Sequence, residues 1–250
     1  MAGEAGVVTA AVLVIGDEIL SGRTQDQNSH YIAEYLAQIG VDTREIRVVP
    51  DVEADIVAAV NALRARYDYV FTTGGIGPTH DDITADAIAA AFGVGVAEDP
   101  RAIKLLLEII PADRLNEARR RMARVPLGAE LIENSVSKAP GFMIGNVIVM
   151  AGVPMIMQAM LDAAAPRLRT GARVLVETLE ATMPEGRYAK DLAALAADFG
   201  DVSIGSYPQF SGGVVRNQIV LRARDPSRLA AATTAAREMI SRLSDNGAKV

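Results

Sequence analysis

A glycine-rich run in the first third of the chain has the residue types of an anion-binding loop. Its sequence, from position 72 to position 82, is Thr-Thr-Gly-Gly-Ile-Gly-Pro-Thr-His-Asp-Asp. Glycines let backbone N–H groups approach a phosphate closely, and a helix that begins just beyond them adds partial positive charge. The run lacks the Gly-Lys-Ser/Thr ending of a P-loop and the Gly-x-Gly-x-x-Gly spacing of a dinucleotide-binding loop. A capping box formed by Thr79 and Asp82 is an equally good interpretation at this point.

Three further loops carry glycine, proline or acidic residues directly after a predicted strand, at positions 16–18, 50–51 and 152–154. If the strands are parallel, all four loops leave carboxyl ends of strands, and ligands of open α/β sheets bind at that edge. These loops and their neighbours supply the predicted ligand-binding residues, which are Gly16, Asp17, Glu18, Asn28, Thr73, Gly74, Gly75, Gly77, Pro78, Thr79, Asp81, Gly152 and Pro154.

Acidic residues are concentrated at the same edge of the predicted sheet. They are Asp17, Glu18, Asp51, Asp81 and Asp82. Several carboxylates crowded beside a phosphate repel it unless a divalent cation bridges them, and carboxylate and phosphate oxygens suit Mg²⁺ or Mn²⁺. Taken singly, each of these acids is more often a solvated loop residue or a helix cap. Their joint placement is what favours a metal.

Other polar residues have a structural interpretation beside the functional one. Asn28 either caps its helix or contacts a ligand, and the cap is the more usual role. His80 is a better general-base candidate than His30, although the sequence shows no partner for it. The arginines within residues 119–124 are typical of a solvated helix face, with phosphate binding as the rarer alternative.

Alternating strand and helix patterns must position these loops. Strands are predicted at 10–15, 41–49, 69–73 and 147–150, and helices at 28–39, 53–66, 84–92 and from 154 to about 166. Residues 100–124 are predicted as helix in two pieces, broken at Pro111. The continuously apolar run at 10–15 indicates a strand buried on both faces. The pattern predicts an α/β fold with a doubly wound, mostly parallel sheet.

Beyond Gly171 the pattern changes to β-α-β-β-α. Strands are predicted at 173–182, 202–207 and 214–224, and helices at 186–199 and 227–243. This order is typical of a small α+β domain. We therefore place an α/β domain at 8–168 and an α+β domain at 172–245.

The composition excludes several classes of protein. The 250 residues include no cysteine, which removes a disulfide framework, a thiolate metal site and a cysteine nucleophile. A net charge of -6 lacks the basic excess of a nucleic-acid binder. No apolar run approaches the roughly 20 residues that span a bilayer. We expect a soluble cytoplasmic protein that binds neither nucleic acid nor membranes.

Two N-terminal motifs resemble those of a known family. Residues 16–22 with Asp26 and Asn28, and then residues 73–84, are similar to the molybdopterin-binding domain shared by molybdenum cofactor biosynthesis proteins and competence/damage-inducible protein A. The match through residues 49–51 and 74–82 most resembles the competence/damage-inducible branch and the N-terminal domain of eukaryotic FAD synthases. Residues 205–208, Gly-Ser-Tyr-Pro, resemble the small domain that follows in that branch.

The resemblance implies a metal-dependent nucleotide pyrophosphatase that acts on ADP-ribose or FAD. It implies catalytic roles for Asp51 and Asp82, and a divalent metal (Mg²⁺, Mn²⁺ or Co²⁺) held by Asp17, Asp51 and Asp82. Its small-molecule partner is then a nucleotide or a pterin. Two alternatives stay open: a molybdopterin-binding or adenylyl-transferring protein of molybdenum cofactor biosynthesis, and a non-catalytic ligand-binding protein.

The chain departs from the family pattern at three positions. Ala151 replaces a proline, Ile156 stands where an acid is usual, and Ser137 replaces a glycine. We expect these changes on the far wall of the pocket, where they bear on substrate choice. Since relatives are usually oligomers, a homodimer or homotrimer is expected, with residues 153–161 as a candidate interface. The chain stops at Val250, before the deamidase domain of full-length branch members, so no deamidase activity is expected.

Overall fold

The chain forms two compact units, Met1–Gly171 and Ala172–Val250. The computed structural model describes residues 6–211 and 214–247. The strands of the first unit are β1 (Val8–Ile15), β2 (Val41–Val49), β3 (Tyr69–Thr73), β4 (Val96–Glu98), β5 (Arg124–Pro126), β6 (Glu130–Ile132), β7 (Gly141–Ile144) and β8 (Val147–Met150). Its helices are α1 (Asp17–Leu20), α2 (Asn28–Gln38), α3 (Glu53–Arg66), α4 (Thr84–Phe92), α5 (Pro100–Leu107), α6 (Glu117–Arg121) and α7 (Pro154–Ala164).

Six of these strands form one sheet in the order β2-β1-β3-β8-β7-β6. Neighbouring strands from β2 to β8 run parallel, whereas β7 is antiparallel to both β8 and β6. The predicted doubly wound, mostly parallel sheet is confirmed. The antiparallel strands β6 and β7 and the small β4-β5 sheet were not predicted. They have only three or four residues, too few to show alternation, and none has the β-branched apolar run that marks β8.

The position of β1 in the sheet explains why residues 10–15 are apolar without interruption. Its side chains alternate between two hydrophobic cores, one on each face of the sheet. Leu13 packs in the core that includes Ile56 of α3, and Val12 packs in the core that includes Leu36 of α2. Both strand residues are fully buried. A strand covered by helices on both faces has no solvent-facing position for a polar side chain.

The helices that flank the sheet lie close to where the sequence predicts them. Helices α3 and α4 have the predicted bounds, and α2 ends one residue earlier, at Gln38. The predicted break at Pro111 is confirmed, since α5 ends at Leu107 and α6 begins only at Glu117. Helix α7 starts with a proline at its first position, where the missing N–H leaves no hydrogen bond unmade.

The second unit contains β9 (Leu175–Ala181), α8 (Ala189–Asp198), β10 (Ser203–Ser211), β11 (Val214–Ala223) and α9 (Pro226–Gly247). Its sheet is antiparallel, in the order β10-β11-β9. Side chains from both helices and from the sheet share one core, which includes Leu195, Leu221 and Ala232. The predicted small α+β domain is confirmed. Within the described parts of both units, no helix has the length and apolarity needed to cross a membrane.

Candidate ligand-binding site

Four loops meet at the carboxyl edge of the parallel strands. The Gly16 N–H, just after β1, donates to the Val49 carbonyl at the end of β2 (3.1 Å). The Gly74 N–H, just after β3, donates to the Met150 carbonyl at the end of β8 (3.2 Å). These hydrogen bonds between neighbouring strand ends hold the four loops side by side.

The glycine-rich loop after β3 has a backbone that only glycine fits. Gly74 and Gly75 have φ values of +107° and +68°. A Cβ on Gly74 would lie 2.1 Å from the Ile15 carbonyl oxygen, and one on Gly75 would lie 2.2 Å from Oγ1 of Thr84. Thr84 in turn donates from its N–H to the Gly75 carbonyl and from Oγ1 to the Gly74 carbonyl, both at 3.0 Å. The loop is therefore fixed to the first residue of α4.

The capping-box interpretation of Thr79 and Asp82 is wrong. Helix α4 begins at Thr84, and Ile83 precedes it without any side-chain cap. The N–H and Oγ1 of Thr79 instead donate to Oδ2 of Asp82, at 2.7 and 2.6 Å, and close a turn ahead of the helix. Asp82 Oδ1 has no hydrogen-bond partner among the described residues. A Cβ on Gly77 would lie only 2.7 Å from Asp82 Oδ2, so this carboxylate lies directly against the glycine-rich loop.

The capping role expected of Asn28 is also wrong. Gln27 is the residue at the N-cap of α2, and its side chain makes no capping hydrogen bond. Oδ1 of Asp26 accepts the N–H of Asn28 at 2.9 Å. The Asn28 side chain points away, and its Nδ2 donates to Oγ1 of Thr73 (2.8 Å) and to the Gly152 carbonyl (2.7 Å). Asn28 is buried and ties the start of α2 to the ends of β3 and β8.

Asp51 lies between the glycine-rich loop and the segment after β1. Its Oδ2 accepts the Asp17 N–H at 3.0 Å. Its Oδ1 lies 3.6 Å from the place of a Cβ on Gly75. Burial raises the pKa of Asp51 above its usual range. The hydrogen bond from Asp17 opposes this shift, and the negative charges of Asp17, Glu18 and Asp81 add to it. Four of the five carboxylates predicted to cluster at this edge, those of Asp17, Glu18, Asp51 and Asp81, are thus near enough to interact.

The cluster is not a ready-made metal cage. Across residues 6–211 and 214–247, no three histidine or carboxylate side chains are arranged to hold a metal ion. The predicted metal set of Asp17, Asp51 and Asp82 is therefore not assembled by the chain alone. Asp17 contacts Asp51 with its backbone N–H and not with its carboxylate. Oδ2 of Asp82 accepts a hydrogen bond from Thr79.

A crevice with two lobes opens beside the glycine-rich loop. The larger lobe has a volume of about 580 Å³, and the smaller lobe has a volume of about 190 Å³. Glu18, Gly74, Gly152 and Pro154 line both lobes, so the two adjoin where the loops meet. The combined size suits a small-molecule ligand with two distinct ends.

The structure brings most of the predicted ligand-binding residues to this crevice. Those that line at least one lobe are Glu18, Asn28, Thr73, Gly74, Gly75, Gly77, Pro78, Gly152 and Pro154. Those that lie outside the lining are Gly16, Asp17, Thr79 and Asp81. Of the two predicted catalytic acids, Asp82 lines the larger lobe, whereas Asp51 lies beside the loop and outside the lining.

The larger lobe is also lined by residues that sequence reasoning did not assign to a site. Among them are Met122, Ala139, Val153 and Met160. The three departures from the family pattern, Ser137, Ala151 and Ile156, line the same lobe. These departures were the only signal in the sequence for this part of the lining, because its members come from separate segments of the chain.

The remaining candidates are mostly structural. His80 is 98% exposed and lines neither lobe. Arg120 pairs with Glu98 on the surface, as expected of a solvated face, whereas Nη2 of Arg121 donates to the Asp82 carbonyl at 3.3 Å.

The candidate interface at residues 153–161 is partly core. Met157, Met160 and Leu161 are buried within the unit itself. Val153 and Met155 are 55% and 65% exposed. The homodimer or homotrimer stays a prediction.

Two family models cover the two units. The model described as a probable molybdopterin binding domain matches residues 11–170. The model described as the middle domain of FAD synthase matches residues 173–244.

Individual relatives agree with these matches. A probable FAD synthase of Caenorhabditis elegans is 33% identical over 93% of this chain and 50% of its own length. A CinA-like protein of Citrifermentans bemidjiense is 36% identical over 70% of this chain and 48% of its own length. The chain thus spans about half the length of these curated relatives.

A solved structure shows the same fold. The crystal structure of CinA from Thermoplasma acidophilum, described as a protein of unknown function, is 33% identical. The alignment covers 65% of this chain and 99% of that one, with a TM-score of 0.61. The matched family model, the relatives and this structure lead to one conclusion: the chain is a CinA-like member of the molybdopterin-binding-domain family.

Proposed function

We propose that this protein is a divalent-metal-dependent pyrophosphatase that hydrolyses nucleotide diphosphates of the ADP-ribose or FAD type. The observation that carries the proposal is the larger lobe of the crevice, where the glycine-rich loop and the Asp82 carboxylate face one cavity of about 580 Å³. Small-molecule sites commonly have volumes of roughly 300–1,000 Å³. The match of the second unit to the middle domain of FAD synthase supports a nucleotide ligand.

The glycine-rich loop is the proposed site of the diphosphate. Gly75 and Gly77 line the larger lobe, and neither has a side chain that keeps a phosphate away from the backbone. Helix α4 begins at Thr84, close behind the loop, and the partial positive charge of its N-terminus favours an anion there. Two hydrogen bonds from Thr84 to the carbonyls of Gly74 and Gly75 hold the loop in this geometry.

Asp82 is the proposed general base. Thr79 holds Oδ2, which leaves Oδ1 to accept a proton from a water molecule. The oxygen of this water forms a bond to one phosphorus atom while the bridging P–O bond breaks. The departing phosphate retains the electron pair of that bond, and the products are two phosphate monoesters. With ADP-ribose they are AMP and ribose 5-phosphate.

The proposed divalent metal would bind together with the diphosphate. Mg²⁺ is commonly held by one or two carboxylates and by substrate phosphate oxygens, so the lack of a three-carboxylate cage among the described residues fits such a site. Asp51 would hold it directly, with Asp17 at its edge and Asp82 nearby as the base. When bound, the metal would supply stabilisation of negative charge on the phosphate oxygens. The mutually repelling acids around Asp51 make this a favourable place for a cation.

Turnover of defined substrates tests the proposal. The purified protein is incubated with ADP-ribose or FAD and with Mg²⁺, Mn²⁺ or Co²⁺, and AMP is measured. We expect AMP with at least one metal, and no AMP in EDTA. Asp82→Ala should abolish the reaction, whereas Asp113→Asn, at an exposed carboxylate that lines neither lobe, should not. No AMP with any metal, or equal AMP from Asp82→Ala, would contradict the proposal.

The description of the matched family as a probable molybdopterin binding domain favours a second candidate function. In that case the crevice binds a pterin phosphate in molybdenum cofactor biosynthesis, with or without adenylyl transfer. Calorimetry that detects pterin binding, combined with no AMP from either nucleotide, would select this candidate. A protein that only binds its ligand would bind the nucleotide without forming AMP. Asp51→Ala would then have no rate of AMP formation to change.

A further inference from the structure

The turn that carries Asp82 makes most of its hydrogen bonds within itself. The Asp82 N–H donates to the Thr79 carbonyl at 3.3 Å, and the Ile83 N–H donates to the Asp81 carbonyl at 2.9 Å. Together with the two bonds from Thr79 to the Asp82 carboxylate, these contacts give the turn its shape. They do not fix its position, because all of them would move together if the turn shifted.

Arg121 ties this turn to a distant part of the chain. Its Nη2 donates to the Asp82 carbonyl oxygen at 3.3 Å. Within the described residues, this is the one hydrogen bond that joins residues 77–82 to a group outside residues 77–83. The donor carries a positive charge, and such hydrogen bonds are stronger than those between neutral groups. Asp82 is thus held at its carboxylate by Thr79 and at its backbone by Arg121.

The segment that carries Arg121 is itself held in place. Arg120, the preceding residue of α6, pairs with Glu98 of β4. Arg124, the first residue of β5, donates to both carboxylate oxygens of Asp86, at 2.7 and 3.2 Å. Asp86 lies in the first turn of α4, just beyond the turn that carries Asp82, and β5 pairs with β4. The Arg121 guanidinium therefore reaches the Asp82 carbonyl from a segment that is located against both β4 and α4.

Stability alone does not account for a guanidinium at position 121. Its Nε is buried and has no hydrogen-bond partner in the described parts of the chain. Arg121 and Asp82 line one small cavity, of about 10 Å³, together with Gly75 and Gly77. A buried donor without a partner lowers stability, so an apolar side chain would serve a purely structural role as well. The guanidinium instead has the donor that the Asp82 carbonyl requires.

We propose that Arg121 is a positioning residue for Asp82. It fixes the backbone of the turn, so that Oδ1, the carboxylate oxygen that Thr79 leaves free, keeps one direction. Arg121 lines neither lobe of the crevice, and it therefore acts through Asp82 and not on the ligand. The inference rests on the proposed function, because the direction of Oδ1 matters only if Asp82 takes a proton. A displacement of about 1 Å at a reacting group can lower a rate about 100-fold.

Neighbouring residues of α6 supply a matched pair of variants. Arg121→Met and Arg120→Met both remove a guanidinium and keep a long side chain, but Arg120 pairs with Glu98 and not with the turn. With ADP-ribose in Mg²⁺, Arg121→Met should lower kcat at least about tenfold and leave KM unchanged. Arg121→Lys, which keeps a charged donor, should recover part of the rate. Arg120→Met should match the wild type, and each variant should melt within about 3 °C of it.

The same substitution in the Asp82→Asn background shows whether Arg121 acts through Asp82. With the base already removed, Arg121→Met should lower the residual kcat by less than about twofold. A residue that supported the fold or contacted the ligand would slow both backgrounds to the same extent.

Amide hydrogen exchange of the ligand-free protein measures the tie without any turnover. The Thr79 N–H, which donates to the Asp82 carboxylate, is the most direct probe. Exchange within residues 77–83 should be at least about threefold faster in Arg121→Met than in the wild type, because the turn opens more often. Arg120→Met should leave it unchanged.

Three results would overturn the inference. They are a wild-type kcat in Arg121→Met, equal losses of kcat in the two Asp82 backgrounds, and unchanged exchange within residues 77–83. If the wild type forms no AMP with any metal, the proposed function fails instead. The exchange measurement then decides by itself whether Arg121 fixes the turn.

Discussion

Thr79 and Asp82 are joined by two hydrogen bonds to a single oxygen. The backbone N–H and Oγ1 of Thr79 both donate to Oδ2 of Asp82, at 2.7 and 2.6 Å. The other carboxylate oxygen keeps its lone pairs free within the described part of the chain. A side chain held at one oxygen presents the second in a fixed direction, which is what a general base needs.

Removal of the Thr79 hydroxyl should slow catalysis without weakening binding. Thr79→Ala keeps the backbone hydrogen bond and loses the one from Oγ1, so the Asp82 carboxylate is less firmly oriented. A hydrogen bond to a charged group contributes about 1.5–3 kcal/mol, which corresponds to a fall in kcat of about 10- to 100-fold. KM should stay the same, and Thr79→Ser should restore the rate. Equal changes in kcat and KM, without rescue by serine, would assign Thr79 a binding or folding role.

Gly75 should tolerate no side chain, and Gly93 is its matched control. Both have left-handed backbones, with φ of +68° and +67°, but a Cβ on Gly93 meets nothing within 4 Å. Gly93→Ala should destabilise the protein by about 1–2 kcal/mol from backbone strain alone. Gly75→Ala should destabilise it by about 1–3 kcal/mol more, because its Cβ would collide with Thr84 Oγ1. Urea unfolding measures the difference, and equal losses would contradict the packing around Gly75.

Asn28 should stabilise the fold as well as line the crevice. Asn28→Ala leaves the Gly152 carbonyl and Thr73 Oγ1 without their buried donor. An unsatisfied buried group costs about 1–3 kcal/mol, and we expect a loss of that size in the free energy of unfolding. Gln38→Ala, an exposed amide at the end of the same helix, should change it by less than about 0.5 kcal/mol. Similar small effects from both variants would show that the Asn28 network contributes little.

Asp51 should make the folded protein less stable as the pH rises, which is the reverse of the usual effect of an aspartate. Burial raises its pKa, and the charges of Asp17, Glu18 and Asp81 add to the shift, so the folded protein binds this proton more tightly than the unfolded chain does. Ionised Asp51 therefore destabilises the fold above its raised pKa, and this effect disappears as the pH falls towards the usual range of an aspartate.

Asp51→Asn should accordingly be more stable than the wild type at neutral pH. The asparagine still offers an oxygen to the Asp17 N–H. The advantage in unfolding free energy should shrink as the pH falls through the raised pKa of Asp51. Denaturant titrations at a series of pH values measure it, with Asp113→Asn as the exposed control. A variant that is less stable at neutral pH, or a difference independent of pH, would contradict the shift.

The sequence predicted the site edge because parallel strands leave little freedom. Once β1, β2, β3 and β8 are assigned as parallel strands, their following loops must meet at one edge of the sheet, and the structure shows that they do. Local chemistry was less predictable. Asn28 and Thr79 both have residue types that commonly cap helices. Asn28 instead donates to Gly152, which is distant in the sequence, whereas Thr79 bonds to Asp82 in a local turn that closes before α4 begins.

The part of the larger lobe lined by Met122, Ser137 and Ala139 could not be located from periodicity. Met122 follows the short helix α6, while Ser137 and Ala139 lie in the loop between β6 and β7. Strands β6 and β7 are too short to show alternation. The position of the loop between them therefore depends on how they pair with each other and with β8. Asn134 then shapes that loop through hydrogen bonds to Ser137 N–H and the Ala139 carbonyl, at 2.7 and 2.6 Å. In the sequence, this region is marked only by Ser137, which departs from the family pattern.

Asp82 is proposed to perform chemistry on a diphosphate that the crevice binds, so its replacement should separate binding from turnover. Wild type and Asp82→Asn are titrated in Mg²⁺ with the non-hydrolysable α,β-methylene analogue of ADP-ribose, and the AMP formed from ADP-ribose is recorded for the same preparations. We predict that Asp82→Asn binds the analogue within about threefold of the wild-type affinity and forms AMP at least about 100-fold more slowly. AMP formation at the wild-type rate by Asp82→Asn, with binding intact, would show that Asp82 is not the base.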